Sequence, residues 1–418
     1  MNKIFNVYQN HATCRTELTI FGIKFKFLNQ KLVTRSDYSK ALNKVKTKYK
    51  NREKIRVAFL VSENAKWNSD ELYDLMEKSD VYEPFILVTL LTYVHFGNDK
   101  TRNNIEENYN FFKQQGKRVF YAYNQQEKNY IDLNEFSPDI VFYQQPWGIS
   151  ENQEISHVSG NMLCCNFHYG LNLFESEVEN LPFYKKLFLY FIPNEQLKEF
   201  FKSFGYENLE VVGFPKLDVY KKMKINTKET KTVIYAPHFS YSPKSILKIG
   251  TFDKTGEKIL EFAKKHNEYN WIFKPHPVLK NELTNDKNFG EKYVENYYSQ
   301  WAEIGKVYDR GEYFDLFSSS DLLITDCSAF LLEYMPTLRP IIRFENPKST
   351  KLNEFGKLIV SGTYRVNSFK EFETCFKTLL VDKNDELFET RKKIVGMVLS
   401  EESSSQRILN VFDKLFSE

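Results

Sequence analysis

Apolar residues recur along this chain in short runs, each followed by a stretch with helical period. Ile55-Arg-Val-Ala-Phe-Leu-Val61 opens the series and reads as a buried strand. Asn68 and Ser69 then cap a helix whose Leu72, Leu75 and Met76 share one face. Pro84–Leu91 is the next predicted strand, and a polar helical stretch follows around 103–115. Arg118–Ala122, Asp139–Tyr143, Asn161–Cys165 and Leu187–Ile192 continue the strand series. After Lys221–Lys231, a charged stretch nearly free of apolar residues, the rhythm restarts. Its strands are Thr232–Ala236, Trp271–Phe273, Leu322–Thr325 and Ile341–Phe344, with helices near 253–267, 312–319 and 328–335. A long amphipathic helix is expected over about 385–415.

Strands separated by helical segments imply parallel sheets with crossover helices. The spacing therefore predicts an α/β protein of two doubly wound, Rossmann-like domains facing each other across a cleft. The expected bounds are 55–220 and 232–384, joined by a linker at 221–231. An arm covers 1–54, and the segment 385–418 is expected to cross back onto the first domain. Ligands in such sheets bind at the carboxyl ends of the strands.

A length of 418 residues accommodates two such domains, and 42% hydrophobic with 27% charged residues is a globular balance. The 16% aromatic content reads as genome composition more than chemistry. Charge changes the picture more. Residues 1–54 hold 13 Lys or Arg against Glu17, Asp37 and Glu53, a net of +10, so the overall +3 leaves the body at −7. A basic arm on a mildly acidic body points to an anionic partner, a phospholipid surface or a polyanionic acceptor. The alternative is a solvated, partly disordered terminus. Nucleic acid is not expected, because no recognition motif accompanies the charge.

Five cysteines without a C-x-x-C spacing argue against a disulfide framework or a zinc site. The adjacent Cys164 and Cys165 sit in an apolar run, as buried thiols do. No apolar stretch approaches the roughly 18 residues of a membrane span. Phe21–Leu28 alternates apolar and basic residues, unlike a signal peptide. The expected location is the cytoplasm, at most peripheral on the inner face of the cell membrane.

The candidate chemistry lies at strand ends in the second half. In Trp271-Ile-Phe-Lys-Pro-His-Pro277 two prolines stop a strand around His276, with Lys274 beside it. A cation and an imidazole at the mouth of a sheet suit a diphosphate; the alternative is a surface turn with a hydrogen-bonded histidine. In Asp321-Leu-Leu-Ile-Thr-Asp-Cys-Ser-Ala-Phe330 an apolar strand runs into Thr325 and Asp326. The helix expected from Ser328 and Ala329 offers free amides for a phosphate, unless Asp326 is an ordinary cap. His168, after a first-domain strand, is a candidate base for an acceptor hydroxyl or else a structural histidine. Gln145-Pro-Trp-Gly148 is another strand-end loop, an acceptor-side element or a simple turn. Asp-x-Asp, glycine-rich dinucleotide and P-loop patterns are absent, which removes most support for oxidoreductase and NTPase chemistry. His95, His157 and His266 lack metal-ligand spacing, so neither a metal nor a cofactor beyond an activated donor is expected.

Gly213-Phe-Pro-Lys-Leu-Asp218, Tyr235-Ala-Pro237, His276-Pro277 and Thr325-Asp-Cys-Ser328, in that order, resemble the CDP-glycerol glycerophosphotransferase family. The resemblance covers roughly residues 135–345, and its most specific part is Thr-Asp-x-Ser followed by an apolar helix bearing Glu333. It implies the GT-B fold, a CDP-linked polyol phosphate donor and a glycan or lipid-linked acceptor in teichoic-acid or capsule synthesis. Where the family writes Ala-Pro-Thr-Trp-Arg, this chain has Ala236-Pro-His-Phe-Ser240, so His238 stands near a missing cation. The family's catalytic His-Gly pair corresponds to Asn166-Phe-His-Tyr-Gly170, with one residue inserted. The implied reaction is an in-line displacement at the donor's β-phosphorus that releases CMP. Lys274, His276, His238 and the Thr325–Ala329 turn would hold the diphosphate, and His168 would take the acceptor's proton. Two other readings stay open: a GT-B glycosyltransferase using a nucleotide sugar, and a non-catalytic nucleotide- or glycan-binding partner of an assembly complex.

Overall fold

The computed structural model describes the chain except residues 1–4, 11–14, 21–22, 29–32, 34, 93–103, 146–147, 168, 176–181, 226–228, 244, 246 and 310. It forms two compact units. The first holds residues 1–172, 177–216 and 400–418, and the second holds 173–176 and 217–399.

Unit 1 begins with strands β1 (Phe5–Asn10), β2 (Arg15–Ile20) and β3 (Ile23–Leu28), an antiparallel sheet of their own. The main sheet uses β4 (Ile55–Val61), β5 (Tyr82–Val88) and β6 (Val119–Tyr121). A short hairpin, β7 (Tyr123–Asn124) and β8 (Asn129–Tyr130), stands apart from it. The sheet resumes with β9 (Ile140–Tyr143), β10 (Leu163–Phe167), β11 (Leu189–Ile192) and β12 (Leu209–Val211). The order is β12-β11-β10-β9-β4-β5-β6, and every pairing is parallel. Strands buried on both faces read as nearly continuous apolar runs, and β4, β9, β10 and β11 do so, buried throughout except at Arg56 and apolar except at Arg56 and Asn166.

Residues 1–54 differ from the expected arm. Besides β1–β3 they carry the helix Ser39–Asn51, whose Ala41 and Val45 are buried. Lys44 and Lys48 of that helix reach Asp139 at 2.8 and 2.7 Å. Burial alone would raise the Asp139 pKa, but the Lys44, Lys48 and Arg56 hydrogen bonds hold it below the usual carboxylate range. The helix expected over 385–415 is two helices, Phe388–Val398 in unit 2 and Ser404–Ser417 in unit 1. The Ser403 hydroxyl starts the second by accepting from the Gln406 amide. Phe412 then packs edge-on to Phe142 and Phe191 of the sheet.

Unit 2 has a six-stranded parallel sheet of β13 (Thr232–Ala236), β14 (Asn270–Phe273), β15 (Gly305–Val307), β16 (Leu322–Thr325), β17 (Ile341–Phe344) and β18 (Tyr364–Val366). Its order is β15-β14-β13-β16-β17-β18. An aromatic core lies on one face, where Trp301 stacks on Tyr235 and Phe273. The expected α/β class with parallel doubly wound sheets is therefore what both units show. No helix among the described residues is long and apolar enough to cross a membrane.

Candidate functional site

Three neighbouring strands of unit 2 end at the same edge. Registers Tyr235↔Phe273 and Ala236↔Thr325 bring the loops after β13, β14 and β16 together. This edge collects the residues singled out in the second half of the sequence, at the place where such sheets bind ligands.

Thr325 and Asp326 act as braces there. The Thr325 hydroxyl donates to the Ala236 carbonyl at 2.6 Å and accepts from the Cys327 amide at 2.9 Å. Asp326 accepts from the His238 amide (2.6 Å), the Thr251 amide (2.6 Å) and the Thr251 hydroxyl (2.8 Å). It thus ties the loop after β13 to the start of the helix Phe252–Lys265. Burial pushes the Asp326 carboxyl up to about 6, against the lowering by those hydrogen bonds.

His238 is buried, which drives its pKa down to about 3, so the ring is neutral at pH 7. Phe239 and His276 meet it at ring-centroid distances of 4.4 and 4.9 Å. His276 is half-buried, its amide donates to the Pro237 carbonyl at 3.0 Å, and its Nδ1 accepts from the Val278 amide at 3.2 Å. The two prolines beside it thus fix a turn whose backbone is tied to the neighbouring loop.

Lys274 is 3% exposed, and its environment was not legible in the sequence. Its ammonium lies 4.4, 5.1 and 5.6 Å from the ring centres of Tyr313, Phe330 and Tyr308. The Tyr313 hydroxyl donates to the buried Glu333 carboxylate. Ser328 and Ala329 open the helix Ser328–Tyr334 and are half-buried, beside Cys327, whose thiol burial pushes up to about 12.

Sequence reasoning also missed Ser240, Thr251 and Gly250. A β-carbon on Gly250 would stand 2.7 Å from the Tyr241 nitrogen and 2.9 Å from the His238 carbonyl oxygen, so only hydrogen fits. A polar serine between Phe239 and Tyr241 was the available signal for Ser240.

His168, the candidate base, lies outside the described residues, as do His95, Pro146 and Trp147. His157 and His266 pair with Asp132 and Glu268 at the surface. Among the described residues no group of His, Cys, Asp and Glu could hold a metal ion.

Chemically, the edge of unit 2 offers two imidazoles, one enclosed ammonium and a rigid backbone turn, a set suited to an anionic ligand. Comparison with known proteins bears on that set. Residues 179–350 match the family model of CDP-glycerol:poly(glycerophosphate) glycerophosphotransferases, a span that contains every site residue named above in unit 2. The minor teichoic acid biosynthesis protein GgaB of Bacillus subtilis is 29% identical over 93 residues, 22% of this chain. That stretch spans 9% of the length of the relative. Among solved structures, the S. aureus MnaA–UDP complex superposes with a TM-score of 0.58 at 14% identity, over 87% of this chain and 98% of that one. The Neisseria meningitidis UDP-GlcNAc 2-epimerase bound to UDP-GlcNAc gives 0.57 at 14% identity, over 86% and 100%. These structural likenesses concern the fold.

Proposed function

We propose that this chain is a transferase that moves a polyol phosphate, such as glycerol phosphate, from a CDP-activated donor to a hydroxyl of a cell-surface glycan or lipid-linked acceptor. The observation that carries the reading is the convergence of the loops after β13, β14 and β16, all within the matched residues 179–350. The donor's diphosphate sits against His276 and His238, with the Lys274 charge and the amides at Ser328–Ala329 nearby. In the reaction the acceptor oxygen bonds to the donor's β-phosphorus and the bond to the CMP oxygen breaks. CMP leaves with the electron pair, and His168 takes the acceptor's proton. Catalysis is then mostly positioning and electrostatic stabilisation, as in phosphoryl transfer generally.

Glycosyl transfer from a nucleotide sugar is the second reading, favoured by the fold likeness to the MnaA–UDP complex and to a 2-epimerase bound to UDP-GlcNAc. Incubation with CDP-, UDP- and GDP-linked donors separates the two. Release of CMP supports phosphotransfer, and release of UDP or GDP supports glycosyl transfer. No turnover of any donor, with nucleotide binding intact, leaves a non-catalytic binding partner and sinks both. His276→Ala should lower kcat/KM by roughly a hundredfold or more, on the scale of one preorganised donor.

A further inference from the structure

Ser240 lies two residues past His238, and the hydrogen bonds around it determine where its proton goes. Its Oγ accepts from the amides of Ile249 at 3.2 Å and Gly250 at 3.4 Å. Amides only donate, so the hydroxyl hydrogen is directed at the remaining neighbour, His238 Nδ1, 2.8 Å away. The Ser240 amide points at the same nitrogen from 3.2 Å. A ring nitrogen that receives two donors carries no proton, so neutral His238 holds its hydrogen on Nε2. Among the described residues Nε2 has no hydrogen-bond partner, in a residue only 6% exposed. The ring stands edge-on to His276, beside the strand ends that form the site. The backbone beneath it is held by Asp326, so neither the ring nor its loop can turn without breaking several bonds.

We propose that His238 is a fixed, neutral Nε2–H donor to an anionic oxygen of the ligand bound at this edge, and that Ser240 is the positioning residue that sets its tautomer. This deepens the diphosphate reading of the same site and rests on it. The substrate group recognised is a phosphoryl oxygen presenting a lone pair. A neutral donor is less costly to bury than a cation and is directional, so recognition here is by hydrogen-bond geometry and not by net charge.

Histidine-selective 15N NMR with inorganic pyrophosphate as the probe tests the proposal. The protein has seven histidines, and the His238 signal is identified by its loss in His238→Gln. The free wild type should show His238 protonated on Nε2 alone, and pyrophosphate should shift that N–H. Ser240→Ala should yield mixed tautomers, and Ser240→Thr should restore the single one. The side-chain nitrogen of glutamine mimics Nε2 and that of asparagine mimics Nδ1. His238→Gln should therefore keep pyrophosphate affinity within a few fold, while His238→Asn loses roughly tenfold or more. An Nδ1-protonated wild type, an N–H unmoved by pyrophosphate, or equal losses in the two His238 variants would overturn the proposal. If Ser240→Ala does not fold, the two His238 variants carry the test. Should pyrophosphate move the His238 signal while no nucleotide-activated donor is turned over, the transferase reading fails and this one stands. Donor turnover with an unmoved His238 signal gives the reverse.

Discussion

Burial moves His238 and Asp326 in opposite directions, and both displacements act on stability over one pH range. His238 titrates near 6.5 when unfolded and at about 3 when folded, so its stabilisation is full above pH 6.5 and is lost as pH falls toward 3. Asp326, about 6 when folded against 3.8, does the reverse: its contribution is full below 3.8 and lost as pH rises through 6. Between about pH 6 and 4 the two slopes, each about 1.4 kcal/mol per pH unit, cancel to first order. Asp326→Asn removes one of them. Relative to wild type, the variant should lose about 1–1.5 kcal/mol for each unit of acidification across that window. Denaturant unfolding of both proteins at several pH values reads this, and a pH-independent difference between them would refute it. Gly250→Ala is a second residue-scale test. The added methyl collides with the His238–Tyr241 backbone, so it should cost about 1–3 kcal/mol and weaken nucleotide binding more than it lowers the melting temperature alone would explain. The strand-end positions of His238, His276 and Asp326 were legible because the apolar runs before them stop abruptly. The bond from Asp326 to Thr251 was not, since a partner 75 residues away leaves no period in the chain.

At the scale of elements, the basic N-terminus separates into parts with different roles. Tyr38, Ala41 and Val45 are buried, the Tyr38 hydroxyl donates to the Lys186 carbonyl at 2.6 Å, and Lys44 and Lys48 pair with Asp139. A chain starting at Val33 should keep its melting temperature within a few degrees, because β1–β3 form a separate sheet. A chain starting at Lys54 leaves Asp139 buried without its lysines, and should lose about 3–5 kcal/mol from that pair alone. Equal thermal stability of the two truncations would show that the helix Ser39–Asn51 is dispensable. The sequence showed the charge of this region and not its packing, because lysine-rich helices on a surface and lysine-rich tails have the same composition. Residues 1–32 also carry Lys3, Arg15, Lys24, Lys26 and Lys31 against Glu17 alone. If that charge meets an anionic lipid surface, the chain starting at Val33 should bind phosphatidylserine vesicles less than the full chain at low salt, with the difference vanishing at high salt. Vesicle binding that is the same for both would remove the membrane from the list of partners.

At the scale of the molecule, the two-sheet architecture was readable because the interior strands of both sheets are mostly apolar runs, broken only by single residues such as Arg56, Asn166 and Arg343. The assignment of chain to unit was not. Continuous amphipathic period across 385–415 hid the break at Ser400–Ser403, where the chain leaves unit 2 and returns to unit 1. That return has a consequence for how function and stability divide. The helix Ser404–Ser417 contributes Phe412 to the unit 1 core, Asp413 to the Tyr82 hydroxyl at 3.1 Å, and Arg407 to the Val211 carbonyl at 3.2 Å. Losing Phe412 alone costs about 3–5 kcal/mol. A chain ending at Leu399 should therefore show an early unfolding transition for unit 1 and an unchanged one for unit 2. The candidate diphosphate site is built from unit 2 residues, so this truncated chain should still bind pyrophosphate and CDP while losing turnover of any donor. Calorimetry and titration on the same sample read both outcomes. If pyrophosphate binding disappears together with the first transition, unit 2 does not hold the site by itself, and the assignment to the loops after β13, β14 and β16 falls.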